Sequence, residues 1–407
     1  MPFDCFEKGS KVGGNWCFRN DNGLSSAYDS LELNSSKTET QYAAFPMPRD
    51  YPDYPGHRLV QAYFEAFVDH FGLERHITVR TEVTRVGRPD GGTDFDVTLG
   101  SGEVRRYQWV LVANGHHWSP RWPDPPFPGH FDGRLLHSHH YKEPEQLAGA
   151  RVVVVGLGNS ACDIAVDSAA VAARTVLSVR RGAHVTPKYL FGRPIDVANR
   201  PLSRLPLRVR RLVGGAALQL ARGSITSYGL PRPDHPLYAA HPTLSSRLLA
   251  ALRAGTVTVR PQIERLDGSR VHFADGRTED ADVIVSCTGY RVELPFLGPE
   301  LAVAEDLPLY RRVVDPDVPD LFYIGFLQPQ GSVIPLAELQ SVWVSELITG
   351  RVALPDRDRM RRSIRADQAE TARRFVAAPR HALEVDARAY RRGLDEERRR
   401  FRVSALP

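Results

Sequence analysis

Apolar residues in the middle of the chain cluster in a pattern that predicts a β–α–β unit. Residues 151–155 are an arginine followed by four valines, which is typical of a strand buried in a parallel sheet. A glycine turn follows, and the apolar spacing then predicts a helix over 160–173 and a second strand over 175–179. A further apolar strand, over 282–286, is expected to close the unit.

The sequence on either side of this unit predicts shorter elements. Before it, the pattern indicates a strand over 2–7, a helix over 59–71, and strands over 77–86, 94–99 and 109–113. After it, the pattern indicates a strand over 320–324, a helix over 335–347 and charged helices from Arg351 onward. Residues 186–246 are predicted to form a long irregular excursion. The expected fold class is α/β, with two dinucleotide-binding (Rossmann-like) domains, the first truncated at its N-terminus, and a helical C-terminal tail.

Composition and charge narrow the functional classes. The 407 residues are 42% hydrophobic and 25% charged, which allows two or three domains. The net charge of +5 reflects arginines crowded near the C-terminus, where a solvated helical face is a sufficient explanation, so we expect no nucleic-acid partner. The four cysteines are far apart and form no CxxC pair, which favours a reducing compartment. No apolar run approaches the roughly 18 residues of a membrane span, so we expect a cytoplasmic protein without a membrane anchor.

The glycine turn after the four valines carries the clearest chemical signal. Gly156, Gly158 and Ala161 form a GxGxxA string at a strand-to-helix junction. The first glycine permits a tight turn, the second lets the backbone approach a pyrophosphate, and the alanine lets helix and strand pack closely. We therefore predict that Gly156, Gly158, Asn159 and Ser160 bind a dinucleotide cofactor; an ordinary strand-to-helix turn is the alternative.

The end of the following strand indicates which coenzyme is bound. An NAD-selective unit usually ends this strand with an acidic residue, whereas here Arg180 and Arg181 follow it. A guanidinium binds a 2′-phosphate through paired donors, so these two residues predict NADPH. Two solvated surface arginines remain the alternative interpretation.

A second, weaker set of candidate cofactor ligands lies near the N-terminus. Glu7 ends the first predicted strand, where an acidic side chain could hold a ribose diol. Gly13 and Gly14 would let backbone amides approach a diphosphate, and Trp16 could form a wall beside a flat ring. A GxGxxG turn is expected before this strand, roughly thirty residues upstream of Gly14.

Taken together, these residues resemble the flavin-containing monooxygenases over essentially the whole chain. The identifying FxGxxxHxxxY pattern is matched by Phe131, Gly133, His137 and Tyr141. Further matches lie at 34–37, 45–48, 287–290 and 325–329. The resemblance implies FAD as a second cofactor and a cofactor contact from Gln328.

The resemblance also implies a reaction. In this family NADPH reduces FAD, and oxygen then adds to the flavin as a C4a-hydroperoxide that oxygenates a soft nucleophile, such as an amine nitrogen or a thioether sulfur. The peroxide must be kept from water and hydrogen-bonded, a task that the resemblance assigns to Asn34 as the catalytic residue. The expected partners are a small-molecule substrate and O2, and a homodimer is an assembly that the sequence leaves open.

The resemblance divides the chain into four parts. Residues 1–148 are expected to be the first part of an FAD-binding domain, without its first strand and glycine turn, and 149–292 the NADPH-binding domain. Residues 293–350 return to the FAD-binding domain, and 351–407 form the arginine-rich helical region. Because the first glycine turn is absent, we favour an N-terminally shortened version of a working enzyme.

Several alternatives stay open or are disfavoured. A non-catalytic NADP(H)-binding protein and a Baeyer–Villiger monooxygenase are both alternatives, although Tyr141 at the end of the motif favours amine and sulfur oxygenases over the latter. The adjacent histidines at 137, 139 and 140 do not supply a closed ligand set, so we predict no metal and a structural role for His137. A disulfide reductase is disfavoured because Cys17 has no nearby partner cysteine.

Overall fold

The computed structural model describes residues 2–89, 92–240, 242–304, 307–376 and 383–403. Within these residues the strands are, in chain order, β1 (Cys5–Phe6), β2 (Ile77–Thr78), β3 (Val83–Gly87), β4 (Phe95–Leu99), β5 (Val104–Tyr107), β6 (Val110–Val112), β7 (Ser119–Pro120), β8 (Gly129–Phe131), β9 (Arg134–His137), β10 (Arg151–Val155), β11 (Arg174–Ser178), β12 (Val185–Thr186), β13 (Tyr189–Leu190), β14 (Arg193–Pro194), β15 (Thr243–Leu244), β16 (Thr258–Arg260), β17 (Ile263–Gly268), β18 (Arg270–Phe273), β19 (Thr278–Asp280), β20 (Val283–Ser286), β21 (Tyr290–Arg291), β22 (Val314–Asp315), β23 (Val318–Tyr323), β24 (Gln328–Pro329) and β25 (Glu384–Val385). The α-helices are α1 (Lys37–Thr40), α2 (His57–His70), α3 (Asn159–Val171), α4 (Ile195–Ala198), α5 (Leu207–Arg222), α6 (Ser246–Ala254), α7 (Ile334–Ile348), α8 (Arg357–Arg374) and α9 (Ala387–Arg400).

A five-stranded parallel sheet organises the second dinucleotide unit. Its order is β16-β11-β10-β20-β9, so the valine strand β10 lies at the centre. The valines at 152, 153 and 154 are almost completely buried, since this strand has a neighbour on each edge and packed side chains on each face. The predicted β–α–β unit is confirmed as β10, α3 and β11, and the closing strand as β20.

Two strands that come before residue 149 also pair with this unit. β8 pairs with β17, and β9 pairs with β20 in parallel register, with His137 opposite Ser286. The FxGxxxHxxxY pattern thus crosses from one sheet to another. At its Gly133 the backbone approaches Asp282 so closely that an added Cβ would lie 2.5 Å from the carbonyl oxygen of Asp282. The predicted domain boundary at 148 stays a prediction, although these two strands pair with strands on its far side.

The first unit contains smaller sheets. β6 pairs in parallel with β23, which also carries β22, while β3, β4 and β5 form an antiparallel meander and β1 pairs only with β2. Among the described residues, β1 and β6 therefore each have one edge without a strand partner, and Leu111 of β6 is half exposed.

Two strand predictions here were too long. The predicted strand 2–7 is limited to Cys5–Phe6. The predicted strand 77–86 is two strands, β2 and β3, because Arg80 has a φ of 53° and the amides of Arg80 and Thr81 donate to the carbonyl groups of Gly9 and Glu7. Because the chain turns at Arg80 and forms these hydrogen bonds with the loop after β1, residues 77–86 cannot form one continuous strand.

The interpretation of 186–246 as irregular was wrong for its central part. The helix α5 spans 16 residues, from Leu207 to Arg222, and buries only Gly214 and Leu218. Its larger apolar side chains face outward, and Leu212 is 75% exposed. The apolar spacing of this segment is helical, but its Gly214–Gly215 pair and the prolines before it are typical of irregular structure, which explains the wrong interpretation.

The predicted C-terminal helices are confirmed as α8 and α9. Within α9, Glu397 is buried and accepts a hydrogen bond from the Tyr310 hydroxyl and an ion pair from Arg311 at 3.0 Å. Tyr390 of the same helix accepts a hydrogen bond from the Nε2 of Gln340, which lies on α7, at 2.8 Å. The arginine-rich tail is thus tied to the first unit by buried polar contacts. No helix among the described residues is both long and apolar enough to cross a bilayer.

The buried valine strand provides a stability test. We expect Val154→Ala to lower the free energy of unfolding by about 2–3 kcal/mol, because it removes two fully buried methyl groups and leaves a cavity. Val104→Ala is the matched control, since Val104 also lies in a strand but is 56% exposed, and we expect a loss below about 1 kcal/mol. Urea unfolding of both variants measures the difference, and equal losses would contradict the burial assigned to β10.

Candidate coenzyme and flavin sites

The glycine turn has the geometry that close packing and an open phosphate cradle require. Gly156 has a φ of 123°, and a Cβ added there would lie 2.8 Å from the carbonyl oxygen of Cys287. Gly158 is the N-cap of α3, and a Cβ added there would meet no atom within 4 Å. The first glycine is therefore needed by the fold, while the second faces open space at the positive end of the helix, where an anion would be stabilised.

Asn159, which was predicted to bind the coenzyme, also helps to hold the turn in place. The Oδ1 of Asn159 accepts a hydrogen bond from the backbone amide of Leu244 at 2.9 Å. Beside it, the hydroxyl of Thr243 donates to the carbonyl oxygen of Leu157 at 2.9 Å. Ser160 is the next residue of α3. The turn is thus held by β15, and the contact of Asn159 and Ser160 with a coenzyme stays a prediction.

Arg180 and Arg181 lie beside this turn. The amide of Gly156 donates to the carbonyl oxygen of Ser178 at 3.0 Å, which places the end of β11 next to the glycine turn. Both arginines are exposed, and neither forms an ion pair with another described residue. By contrast, Arg174 at the start of β11 is paired with Glu279. Two guanidinium groups without an ion-pair partner among the described residues suit the extra phosphate of NADPH, and of the two only Arg181 interacts electrostatically with Asp234.

The N-terminal candidates form a second cluster of loops. Glu7 follows β1, and its Oε1 accepts a hydrogen bond from the amide of Gly9 at 2.6 Å and one from the side chain of Asn22 at 3.4 Å. The side chain of Asn20 donates to the carbonyl oxygen of Gly14 at 3.3 Å. Glu7 and Gly14 therefore belong to one hydrogen-bond network, because the amide of Asn22 donates to the side chain of Asn20. In this network a carboxylate oxygen of Glu7 helps to hold the loop that contains Gly9 and Asn22.

Gly14 and Trp16 are the first and last residues of a short 3-10 helix, and Gly13 immediately precedes it. Both glycines have positive φ, 118° and 52°, and a Cβ added at Gly14 would meet no atom within 4 Å. Trp16 packs against an apolar cluster that contains Leu33 and Tyr63. The turn thus presents an open backbone surface beside a partly buried indole ring, as the prediction requires.

Asn34 is partly exposed and comes directly after the buried Leu33. The amide of Leu33 donates to the carbonyl oxygen of Pro55 at 3.0 Å, and its own carbonyl oxygen accepts from the ammonium group of Lys188 at 3.3 Å. On the other side, the amide of Ser36 donates to Asp196 at 2.6 Å. Asn34 is therefore held by contacts from both units, and its catalytic role stays a prediction.

Gln328 lies on β24, which pairs with β25 of the C-terminal region. The preceding turn is fixed by the amide of Gly325, which donates to the buried Gln340 at 2.8 Å. The 325–329 segment is thus braced by α7 and by the C-terminal region, and the cofactor contact of Gln328 stays a prediction.

Sequence reasoning missed two carboxylates on α3, of which Asp167 is buried and Asp163 is partly buried. Asp163 accepts a hydrogen bond from the Tyr28 hydroxyl at 2.7 Å, and burial raises the pKa of Asp163 to about 6. One turn later, Asp167 accepts hydrogen bonds from the hydroxyls of Tyr141, at 3.0 Å, and Ser30. The available signal was a pair of aspartates four residues apart on an otherwise apolar helix, where they need hydrogen-bond donors.

The histidines of the motif are buried near the junction of the units. His137 is fully buried, and its Nδ1 lies 3.1 Å from the amide of His139, which donates to it. Burial lowers the pKa of His137 to about 4, with neighbouring histidines adding to the effect, so the ring is neutral at ordinary pH. Its ring packs edge-on against Trp122 and Tyr290. In the part of the chain that the structure describes, no group of three or more histidine, cysteine or acidic side chains could hold a metal.

Comparison with known proteins identifies the class to which this fold and site belong. A family model described as flavin-binding monooxygenase-like matches residues 2–398, and the chain therefore belongs to that family. Flavin-containing monooxygenase 5 of Rattus norvegicus is 33% identical over 404 residues, covering 94% of this chain and 75% of the relative. Dimethylaniline monooxygenase 2 (N-oxide-forming) of the same species is 34% identical over 379 residues, covering 88% of this chain and 70% of the relative. The predicted family and the flavin-containing monooxygenase class of enzyme are confirmed.

Solved structures support the same fold. S-allyl-L-cysteine S-oxygenase from Allium sativum superimposes with a TM-score of 0.71 at 23% identity, covering 99% of this chain and 84% of that chain. An open crystal structure of cyclohexanone monooxygenase superimposes with a TM-score of 0.71 at 18% identity, covering 96% and 91%. The α/β fold class with two Rossmann-type domains is therefore confirmed.

The two glycines of the turn allow a paired test. Gly156→Ala should lower the free energy of unfolding by about 2–4 kcal/mol, because it adds strain at positive φ and a backbone clash. Gly158→Ala should cost less than about 1 kcal/mol, because its φ of −82° is ordinary and its surroundings are open. We expect Gly158→Ala nonetheless to weaken NADP⁺ binding at least about tenfold, since the methyl group enters the cradle. Calorimetric titration and urea unfolding measure the two effects; unchanged NADP⁺ binding by the folded Gly158→Ala variant would contradict the assignment of the cradle.

Proposed function

We propose that this enzyme is an NADPH-dependent flavin monooxygenase that oxygenates a soft nucleophile, an amine nitrogen or a thioether sulfur. The observation that carries the proposal is the junction between the two units. The glycine turn with its two unpaired arginines lies on one side, and the segment that carries Asn34 is hydrogen-bonded to the helix that the turn begins. This arrangement suits a reaction in which two cofactors meet.

The residues present fit NADPH. Gly158 leaves a space that any Cβ would narrow, at the N-terminus of a 13-residue helix whose first amides have no helical acceptor. Arg180 and Arg181 supply donors for the 2′-phosphate; neither forms an ion pair with a described carboxylate, although Asp234 interacts electrostatically with Arg181. The role of this chain is to bind the coenzyme and orient its nicotinamide end.

The residues present fit FAD in part. Gly14 offers open backbone beside Trp16, and Glu7 lies at the end of a parallel strand, where ribose hydroxyls are commonly bound. When bound, FAD would accept the hydride from NADPH and supply the activated oxygen. Among the described residues, the strand–GxGxxA–helix unit spans 151–171, and it is assigned to NADPH rather than to FAD.

Asn34 has the chemistry that the reaction requires of the protein. Its amide can donate and accept hydrogen bonds without changing charge. The buried Leu33 precedes it and Trp16 packs against the same cluster, so apolar side chains line one side of its segment, where they exclude water. We propose that Asn34 donates a hydrogen bond to the reacting oxygen species while these neighbours keep solvent away.

The substrate class rests on Tyr141 and on the names of relatives. Tyr141 ends the motif and is completely buried, with its hydroxyl bonded to Asp167. An N-oxide-forming relative and a structurally similar S-oxygenase favour amine and sulfide substrates. The similarity to cyclohexanone monooxygenase keeps Baeyer–Villiger chemistry as an alternative outcome. All four cysteines are free thiols, which supports a reducing compartment such as the cytoplasm.

A flavin-free NADP(H)-binding role is the second candidate function. The observation that favours it is that β1 and β6 each have one unpaired edge, while the described residues complete only one glycine cradle. The visible absorbance of the purified chain separates the two candidates, because only a bound flavin gives colour.

The substrate class is tested by product analysis. The protein is supplied with NADPH, oxygen and, in parallel, N,N-dimethylaniline, methyl phenyl sulfide or cyclohexanone. We expect N-oxide and sulfoxide at close to one product per NADPH oxidised, and little lactone. Lactone as the main product would contradict the proposed substrate class, and colourless protein that binds NADPH without oxidising it would favour the second candidate.

The coenzyme preference is tested by reversing one charge. Arg180→Glu should raise KM for NADPH at least about tenfold and leave KM for NADH within about threefold, because a carboxylate repels the 2′-phosphate. Arg270→Glu is the matched control, since it makes the same charge change at an exposed position on β18. Steady-state kinetics with both coenzymes measure the preference. An unchanged preference in Arg180→Glu would contradict the assigned role.

A further inference from the structure

The segment over residues 25–36, which carries Asn34 and is called the Asn34 segment below, is held by groups from its own unit and from the second unit. Within the first unit, the ammonium group of Lys142, which follows the FxGxxxHxxxY pattern, donates to the carbonyl oxygens of Ser25, at 2.7 Å, and Ala27, at 3.2 Å. From the second unit, Lys188 donates to Glu32 at 2.7 Å. The segment is therefore in direct contact with the second unit as well as with its own.

The contacts nearest the coenzyme cradle come from one side chain, Tyr28. Its ring is almost fully buried, and its hydroxyl donates to Asp163 at 2.7 Å. Asp163 lies four residues after the first residue of α3, Asn159. Tyr28 thus connects the second turn of α3, which follows directly on the cradle, to the Asn34 segment.

A second contact, one helical turn further along α3, restricts rotation of the segment. Ser30 donates to Asp167, which also accepts from Tyr141 and lies 3.6 Å from a guanidinium nitrogen of Arg247. Two attachment points on one helix face fix the direction of the segment as well as its distance. Asp163 and Asp167 are separated by one turn, and the hydroxyls that they bind are two residues apart in the segment.

The chain between Tyr28 and Asn34 is short and internally braced. The amide of Leu31 donates to the carbonyl oxygen of Tyr28 at 3.0 Å, and the carbonyl oxygen of Leu31 accepts from His57 at 2.9 Å. Leu33 is buried in the apolar cluster. Because the chain between Tyr28 and Asn34 is short and braced by hydrogen bonds, a displacement of Tyr28 also moves Asn34.

We propose that Tyr28 and Asp163 are positioning residues that couple occupation of the coenzyme cradle to the placement of Asn34. The proposal rests on the proposed function, in which Asn34 contacts the reacting oxygen species. When NADP⁺ binds at the first turn of α3, the Tyr28–Asp163 hydrogen bond transmits the ordering of that turn to the Asn34 segment. Loss of the coenzyme then loosens Asn34 and admits water.

The direct test measures backbone hydrogen exchange and does not require turnover. In the wild-type chain, NADP⁺ should slow exchange of the amides over 29–36 by about tenfold or more. Tyr28→Phe removes only the hydroxyl, and we expect NADP⁺ to slow exchange there by less than about threefold, although the coenzyme still binds.

Tyr228→Phe is the matched control. Tyr228 is also buried, and its hydroxyl donates to the carbonyl oxygen of Arg222 and accepts from Arg253 rather than contacting the Asn34 segment. This variant should show wild-type protection. Equal protection in Tyr28→Phe and wild type, or no protection in wild type, would overturn the proposal.

A second readout separates positioning from stability. We expect Tyr28→Phe to release several times more hydrogen peroxide per NADPH oxidised than wild type, with KM for NADPH changed by less than about threefold. Asp163→Asn keeps an acceptor for the Tyr28 hydroxyl and should give an intermediate value, and it replaces Tyr28→Phe in both assays if that variant does not fold. Wild-type peroxide release in the folded variants would contradict the inference. Failure of wild type itself to form oxygenated product would contradict the proposed function instead.

Discussion

The helix α3 begins with a turn whose amides have no helical acceptor while most of the helix is buried or partly buried, and much of the structure follows from that constraint. Ala161 and Ala165 are completely buried, and their small side chains let the helix lie close to the valine strand. The same helix carries the buried Asp167 and the partly buried Asp163, which would be costly without donors. Hydroxyl groups from outside the unit supply those donors, so the burial of one helix fixes the neighbouring segment.

This constraint explains why the motif residues behave as structural parts of the site. Tyr141 ends the FxGxxxHxxxY pattern, and its hydroxyl binds Asp167, while His137 pairs opposite Ser286 on the same sheet as the coenzyme turn. Lys142, next in sequence, holds the chain that leads to Asn34. The pattern at the predicted domain boundary therefore connects α3 to the segment beside the predicted flavin site.

The sequence predicted best those elements whose signal is local. Four valines before a GxGxxA turn strongly predict a buried parallel strand, with a helix after the turn, and both elements are present. The helix α5 was missed because Gly214 and Gly215 interrupt it and prolines precede it, and both residue types are typical of loops. Tyr28 and Asp163 were missed because they are 135 residues apart in sequence, and single-sequence patterns carry no information about such contacts.

The most direct test of the account is anaerobic reduction of the purified protein, followed by visible absorbance. In the proposed function, one unit binds NADPH beside Arg180 and Arg181, and a flavin bound in the other unit would accept the hydride. The proposed function predicts that NADPH bleaches the flavin band quickly and that NADH at the same concentration does so at least about tenfold more slowly. A protein with no flavin band, or one that NADH bleaches as quickly as NADPH, would contradict it.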